Sequence, residues 1–78
     1  MTPVIHPHRG SWQLPGLRAW RMARFLTQEE LALRAGISRP TLSRAEQGKP
    51  IYWASVRRIA AALRVRPELL LHDPSVSD

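Results

Sequence analysis

The chain of 78 residues has no cysteine and no long apolar run. The first absence excludes disulfides, thiolate metal ligands and a cysteine nucleophile, and it does not discriminate between compartments. The second excludes a membrane-spanning helix, which needs roughly 20 apolar residues. The N-terminus carries proline and histidine instead of a basic stretch followed by an apolar core, so we expect no signal peptide. One small cytoplasmic domain is the expectation.

Acidic residues are scarce, and none precedes Glu29. Twelve basic residues against six acidic ones give a formal net charge of +6 and a pI of about 11.6, and every basic residue except Lys49 is an arginine. Such an excess on a small domain indicates a polyanionic partner, most often nucleic acid. The alternative is that a GC-rich genome has enriched arginine and that part of the excess is only solvated.

The chain also lacks the residue groups that catalysis requires. Its few carboxylates are scattered, and it contains neither a glycine-rich phosphate-binding loop nor a Ser–His–Asp arrangement. His6 and His8 form an H-x-H pair, but His72, the remaining histidine, is at the far end of the sequence. Without a third ligand, the pair predicts a flexible arm and no metal site. We therefore expect no enzymatic activity, no metal and no cofactor.

The segment from residue 27 to residue 49 has the pattern of two short helices joined by a tight turn. Thr27 can cap the first helix, and Glu30, three residues later, can complete a capping box. Gly36 follows at the C-terminal end, where a left-handed backbone is common and glycine adopts it at the lowest cost. The segment therefore predicts a helical pair with its turn at Gly36.

The second helix of this pair has its own start signal. Ser38 can cap it, and Pro40 lies in its first turn, where the missing N–H costs nothing. Its other polar residues fall on the outer face, the arrangement of a helix-turn-helix that inserts its second helix into the DNA major groove. The alternative is an ordinary helical hairpin with a basic solvent face. The residues predicted to point inward are Leu31, Ala32, Ala35, Ile37, Leu42 and Ala45.

The rest of the chain predicts three further helices and no strand. Residues 1–14 contain several prolines and few periodic apolar residues, so we expect a flexible N-terminal arm. One helix is predicted over 15–24, one over 53–63 and a short last one with Pro67 in its first turn. Residues 73–78 form a C-terminal tail. The fold class is therefore all-α, a compact bundle of about five short helices.

From Gln28 to Gly48 the sequence strongly resembles the phage-repressor and Cro-like helix-turn-helix family, also called XRE-type. The resemblance rests on TQEELA, AGIS, TLSRAEQGK and, later, RRIAAALRV, and it extends over roughly residues 16–72. It implies a lambda-repressor-like DNA-binding domain over residues 15–72. It also implies a bacterial, archaeal or phage-encoded, nucleoid-associated homodimer that binds a partly palindromic operator to control transcription, with repression favoured over activation.

The resemblance assigns residues to base recognition. Those at the start and along the exposed face of the recognition helix are Arg39, Pro40, Ser43 and Arg44. An arginine can donate two bonds to guanine O6 and N7, for about 1–3 kcal/mol of discrimination. Pro40 and Thr41 offer apolar surface to a thymine methyl, although for Pro40 a role as a helix start alone is an equally good interpretation, and Ser43 can bond a base or a phosphate. The alternative for Arg39 and Arg44 is that one or both hold only phosphates.

A second set of residues is predicted to contact DNA phosphates, which set affinity and register without reading sequence. The resemblance places Gln28 where the family holds a phosphate at the start of the second helix. The further candidates are Ser38, Lys49, Arg18 and Arg24. For Arg18 and Arg24 a solvated face is an equally good interpretation, and for Arg57 and Arg58 it is the favoured one.

Arg21 and Glu46 match a pair that forms an inner salt bridge in some relatives. We predict a structural ion pair here, with a catalytic or regulatory pair as the disfavoured alternative. Candidate apolar surface for a dimer contact is provided by Leu69, Leu70, Leu71 and the nearby aromatics. The aromatics themselves are predicted to be packing residues, one of which can lie at the dimer contact: Trp12, Tyr52 and Trp53.

Two other functions compete with a DNA-binding regulator. One is an antitoxin-type or other helix-turn-helix subunit that also binds a protein, for which residues 1–14 are the sizeable candidate segment. The other is a protein-interaction module that kept the fold and lost DNA binding, against which the exposed Arg39 and Arg44 argue. Arg9 on the arm is a weaker candidate for a minor-groove contact. A basic membrane-surface peptide is disfavoured because the bundle core needs the apolar faces.

Overall fold

The computed structural model describes residues 11–73, and in that range it contains four α-helices, a short 3-10 helix and one two-stranded sheet. The predicted all-α bundle of about five short helices is confirmed in its main features. The elements in chain order are β1 (Ser11–Trp12), α1 (Leu17–Ala23), α2 (Gln28–Ala35), α3 (Arg39–Glu46), β2 (Ile51–Tyr52), α4 (Trp53–Leu63) and the 3-10 helix (Pro67–Leu71).

The sheet corrects the expectation that the chain has no strand. β1 pairs antiparallel with β2, so that Ser11 lies opposite Tyr52 and Trp12 opposite Ile51. Strands of two residues are too short to show an alternating apolar pattern in the sequence. Their pairing depends instead on the fold bringing together segments about forty residues apart along the chain.

The folded unit begins earlier than the predicted boundary at residue 15. Ser11 and Trp12 belong to the sheet, and the side chain of Leu14 is buried in the core. The predicted arm is therefore not an arm over residues 11–14, because an apolar side chain and a paired backbone hold this stretch. The rest of the predicted arm, with His6, His8 and Arg9, and residues 74–78 of the predicted tail lie outside the described residues.

The predicted start signals of the helical pair are confirmed in detail. The backbone N–H of Glu30 donates to Thr27 Oγ1 at 3.0 Å, and the N–H of Thr27 donates to Glu30 Oε1 at 2.9 Å, which completes the capping box. Gly36 ends α2 with a φ of 70°, in the left-handed region. Ser38 caps α3 by accepting a bond from the N–H of Thr41 at 3.2 Å.

The core lies between α2 and the elements around it. α2 packs against α3 and α4, and the 3-10 helix packs against α1 and α4. Leu70 is fully buried here, which corrects its assignment to a dimer contact, while Leu69 and Leu71 are half-buried. The buried apolar residues are Leu14, Leu17, Leu26, Leu31, Ala32, Ala35, Leu42, Ala45, Ile51, Val56, Ile59, Ala60, Leu63 and Leu70. In the described range, every helix is too short or too polar to cross a membrane.

Candidate nucleic-acid interface

The outer face of α3 is an exposed basic surface. Arg39, Pro40 and Arg44 are exposed, whereas Leu42 and Ala45 on the opposite face are fully buried. Thr41 and Ser43, the two other residues predicted to read bases, are half-buried along the same helix. α3 therefore presents two long cationic side chains to solvent and is held from behind by the core.

The first turn of α3 is ordered by hydroxyl groups. Ser38 Oγ lies 2.7 Å from Thr41 Oγ1, in addition to accepting the N–H of Thr41. The structure thus gives Ser38 the role of a helix cap, and its predicted phosphate contact stays a prediction. Because the Thr41 hydroxyl is engaged with Ser38, its methyl group is the part best suited to a contact with a base.

The C-terminal end of α3 carries two further polar features. Gln47, which the sequence interpretation did not single out, donates from Nε2 to Ser43 Oγ at 3.3 Å. The chain then turns at Gly48, which has a φ of 90°, and the N–H of Lys49 donates to the carbonyl of Arg44 at 3.0 Å. The exposed Lys49 is thereby placed directly beside the end of α3.

Arg21 and Glu46 form the predicted ion pair. Arg21 donates from Nε to Glu46 Oε2 and from Nη2 to Glu46 Oε1, the latter at 3.1 Å, and the two side chains are only 13% and 5% exposed. Arg21 Nη1 also donates to the carbonyl of Leu26 at 2.7 Å. The bidentate geometry of the arginine–carboxylate pair makes this a strong, directional contact. It ties α1 to the last turn of α3.

Gln28 belongs to the same network. Its Nε2 donates to Glu46 Oε1 at 3.1 Å, so that the first residue of α2 is connected to α3 through the ion pair. The side chain is half-buried. Because its Nε2 donates to a carboxylate, the structure gives Gln28 a role in positioning the helices, and its predicted phosphate contact stays a prediction.

The two arginines predicted on α1 have different surroundings. Arg24 donates from Nε to the carbonyl of Leu63 at 2.9 Å, and its guanidinium lies 5.2 Å from the centre of the Trp20 ring. This is a structural contact that links α1 to the end of α4. Arg18 is exposed and borders a surface depression together with two acidic residues, Glu46 and Asp73. For both residues the phosphate contact stays a prediction with little geometric support.

Four exposed apolar or aromatic residues were not anticipated, and one of them is Met22 on α1, which is 56% exposed. Phe25 is 92% exposed and has a φ of 57°, a left-handed conformation that is uncommon for a bulky residue. Leu33 is 82% exposed on α2. Tyr52 is 68% exposed, which corrects its assignment as a packing residue, since it lies at the N-terminus of α4 and points away from the core. Helical periodicity separates Leu33 from the buried face of α2, whereas no local pattern distinguishes Phe25 and Tyr52 from buried aromatics.

The other aromatics of this region pack as predicted. The rings of Trp12 and Trp53 are 4.9 Å apart at an angle of 52°, and both are half-buried against the core. Arg58 is exposed, as favoured from the sequence, and its Nη1 reaches the carbonyl of Gly36 at 3.5 Å. This long contact places a basic side chain beside the turn between α2 and α3.

A cleft separates α3 from β2 and the start of α4. It is lined by Thr41, Arg44, Pro50, Ile51, Tyr52 and Ser55. No carboxylate is present among these lining residues, and Arg44 contributes a positive charge. The cleft is therefore suited to an anionic or neutral hydrogen-bond acceptor.

Comparison with known proteins defines the class of this protein. Residues 16–72 match a family model described as a helix-turn-helix domain. The chain belongs to this helix-turn-helix family, as its sequence predicts. No curated protein matches the chain.

Two solved structures are similar to this one. The restriction-modification controller protein C.AhdI from Aeromonas hydrophila is 32% identical, with a TM-score of 0.68, over 72% of this chain and 86% of its own. A hypothetical transcription factor, NHTF, from Neisseria is 33% identical, with a TM-score of 0.70, over 77% of this chain and 70% of its own. Both similarities extend over most of the described range.

Proposed function

We propose that this protein is a sequence-specific double-stranded DNA-binding protein that acts as a homodimeric transcriptional regulator. The observation that carries the proposal is the outward presentation of Arg39 and Arg44 on α3, the second helix of a helix-turn-helix. The net charge of +6 supports a polyanionic partner. Similarity to a controller protein and to a transcription factor supports DNA-binding regulation.

In the proposed complex α3 lies in the major groove. Arg44 and Arg39 donate to guanine O6 and N7, and Pro40 and the Thr41 methyl group contact thymine methyls. Ser43 completes the base-reading set, bonding a base or a phosphate. Discrimination then comes mainly from the two arginines, because each bidentate contact is worth about 1–3 kcal/mol.

Phosphate contacts position this helix without reading sequence. Gln28 at the start of α2 and Lys49 after α3 flank the recognition helix along the chain, and Ser38 lies at its first turn. The Arg21–Glu46 pair keeps α1, α2 and α3 in a fixed relation. A rigid scaffold of this kind reduces the ordering cost that binding would otherwise carry.

The proposed unit on DNA is a dimer that reads two half-sites of a partly palindromic operator. Helix-turn-helix dimers place these half-sites about 34 Å apart, or one helical turn. The half-buried Leu69 and Leu71 are the remaining candidates from the predicted apolar contact surface. Repression is the favoured effect, since a small protein on an operator acts most simply by occupying it.

Selection of bound DNA from a random pool tests sequence-specific binding directly. We expect enrichment of one partly palindromic motif. If no sequence is enriched although the protein is folded, the proposal is wrong, and a protein-interaction module that has lost DNA binding becomes the better interpretation.

A panel of single-base variants of the selected site then separates base reading from anchoring. At fixed salt, Arg44→Ala should cost about 1–3 kcal/mol and relax the preference at one base pair in each half-site. Lys49→Ala is the matched control, since a phosphate contact should weaken binding to every site by a similar factor. If Arg44→Ala lowers the affinity for all sites equally, Arg44 is an anchor and its assignment to base recognition is wrong.

A further inference from the structure

The side chain of Tyr52 is accessible to a ligand and has no structural role in capping α4. Its side chain is 68% exposed and borders the cleft that also contains Thr41 and Arg44 of the recognition helix. It occupies the cap position of α4 but makes no side-chain cap bond. Serine, threonine, asparagine and aspartate are the residues that stabilise this position, so tyrosine provides no helix-capping stability here.

The structure nevertheless holds the Tyr52 backbone in place. It pairs with Ser11 across the β1–β2 sheet, and Ile51 beside it is buried. The next residue, Trp53, packs its ring against Trp12. A rigid backbone that presents an exposed aromatic side chain over a cleft indicates pre-organisation for binding.

The dimensions of DNA determine what Tyr52 would meet. The major groove is about 12 Å wide, and an α-helix with its side chains has a diameter of roughly 10–12 Å. A helix in the groove therefore fills it, and protein groups on either side of that helix face the sugar-phosphate walls. Tyr52 is on the far side of a cleft from α3, so it would face a wall and not a base edge.

We propose, on the basis of the function proposed above, that the Tyr52 hydroxyl donates a hydrogen bond to a backbone phosphate beside the bases read by α3. Tyrosine is one of the side chains that supply such contacts. The cleft fits this acceptor because Arg44 adds positive charge and Ser55 adds a second hydroxyl, with no carboxylate among its lining residues. Tyr52 is thus an anchoring residue of the interface.

Tyr52→Phe tests the contact because it removes only the hydroxyl of an exposed residue. On the site selected by the wild-type protein, we expect binding about 10- to 100-fold weaker, as for the loss of one hydrogen bond to a charged group. The factor should be the same for every single-base variant. Phe25→Tyr is the matched control, because it adds a phenol at the other highly exposed aromatic position, and it should bind like the wild type.

Methylphosphonate substitution of the operator, one phosphate at a time, identifies the partner. At one phosphate in each half-site the substitution should weaken the wild-type protein but have little further effect on Tyr52→Phe. Unchanged affinity of Tyr52→Phe, loss of preference at a base pair, or equal sensitivity of both proteins at every phosphate overturns the inference. Failure of the wild-type protein to bind any DNA selectively would instead refute the proposed function, on which this contact rests.

Discussion

Gly16 shows how one residue can determine whether two segments fit together. Its N–H donates to the carbonyl of Leu70 at 3.0 Å, and a Cβ built on it would lie 2.0 Å from the carbonyl oxygen of His72 and 3.0 Å from that of Leu69. Both obstacles are backbone atoms, which cannot rotate away. The close approach of α1 to the 3-10 helix therefore requires glycine.

We predict that Gly16→Ala lowers the free energy of unfolding by about 1–3 kcal/mol, as other overpacked sites do. Chemical denaturation of the purified protein measures this. Gly48→Asn is the comparison for backbone strain without a clash: Gly48 has a φ of 90°, where any side chain is strained, but no heavy atom of the described residues lies within 4 Å of its Cβ position. Equal losses in the two variants would show that the close approach at Gly16 is unimportant.

The Arg21–Glu46 pair provides a second prediction at this scale. Arg21→Met should lower the free energy of unfolding by about 3–5 kcal/mol, because it leaves the nearly buried Glu46 carboxylate without its charged partner. The double variant Arg21→Met with Glu46→Leu should recover part of this loss, since no uncompensated charge remains. Urea denaturation measures the free energy of unfolding of both variants. A double variant that is less stable than Arg21→Met would contradict the prediction.

Among the elements, α2 contains a contact whose strength depends on pH. A hydrogen bond from the backbone N–H of Thr27 is the main reason why the pKa of Glu30 lies below its ordinary value of 4.5. A hydrogen bond with the Thr27 side chain lowers this pKa further. Because the folded protein has the lower pKa, ionised Glu30 contributes stability that is fully present above the ordinary value. That stability is lost as the pH falls through the lowered pKa.

Melting temperatures measured between pH 7 and pH 3 test this for α2. Glu30→Gln keeps an acceptor for the capping box but does not ionise, so we expect the wild type to be more stable near neutral pH and to lose that advantage in acid. Glu29→Gln, in the same turn but outside the capping box, is the control for loss of charge alone. A difference between wild type and Glu30→Gln that stays constant down to pH 3 would refute the linkage.

For the whole molecule, charge and symmetry determine how it should bind. A dimer that touches about eight phosphates should show a log–log slope of affinity against salt of roughly −7, because each neutralised phosphate releases counterions. Affinity for the selected site, titrated at several salt concentrations, gives this slope. A slope near zero would be inconsistent with phosphate anchoring by α2 and the segment after α3.

Dimerisation is the second prediction for the whole molecule. The single domain offers a small interface, so we expect a weak dimer in free solution that tightens on DNA, with footprints on two half-sites about 34 Å apart. Sedimentation of the protein with and without its site tests the association, and footprinting tests the spacing. One protomer on one unsymmetrical site would show that the protein acts as a monomer.

The helical pair and its outward face could be predicted from the amino-acid sequence alone. The capping box at Thr27, the turn at Gly36 and the cap at Ser38 depend on residues within a few positions of one another, so their chemistry is visible in the chain. The same holds for the face of α3 that carries Arg39 and Arg44, because helical periodicity separates it from Leu42 and Ala45. The Arg21–Glu46 pair was accessible only through resemblance to a family.

The features that join distant segments became visible only in the folded chain. The β1–β2 pairing, the burial of Leu70 and the close approach at Gly16 each need contacts between residues far apart in the chain. Whether Tyr52 is exposed depends on the sheet that places it over the cleft beside α3. Local patterns do not carry this information, because neither propensity nor periodicity indicates which surfaces the folded chain brings together.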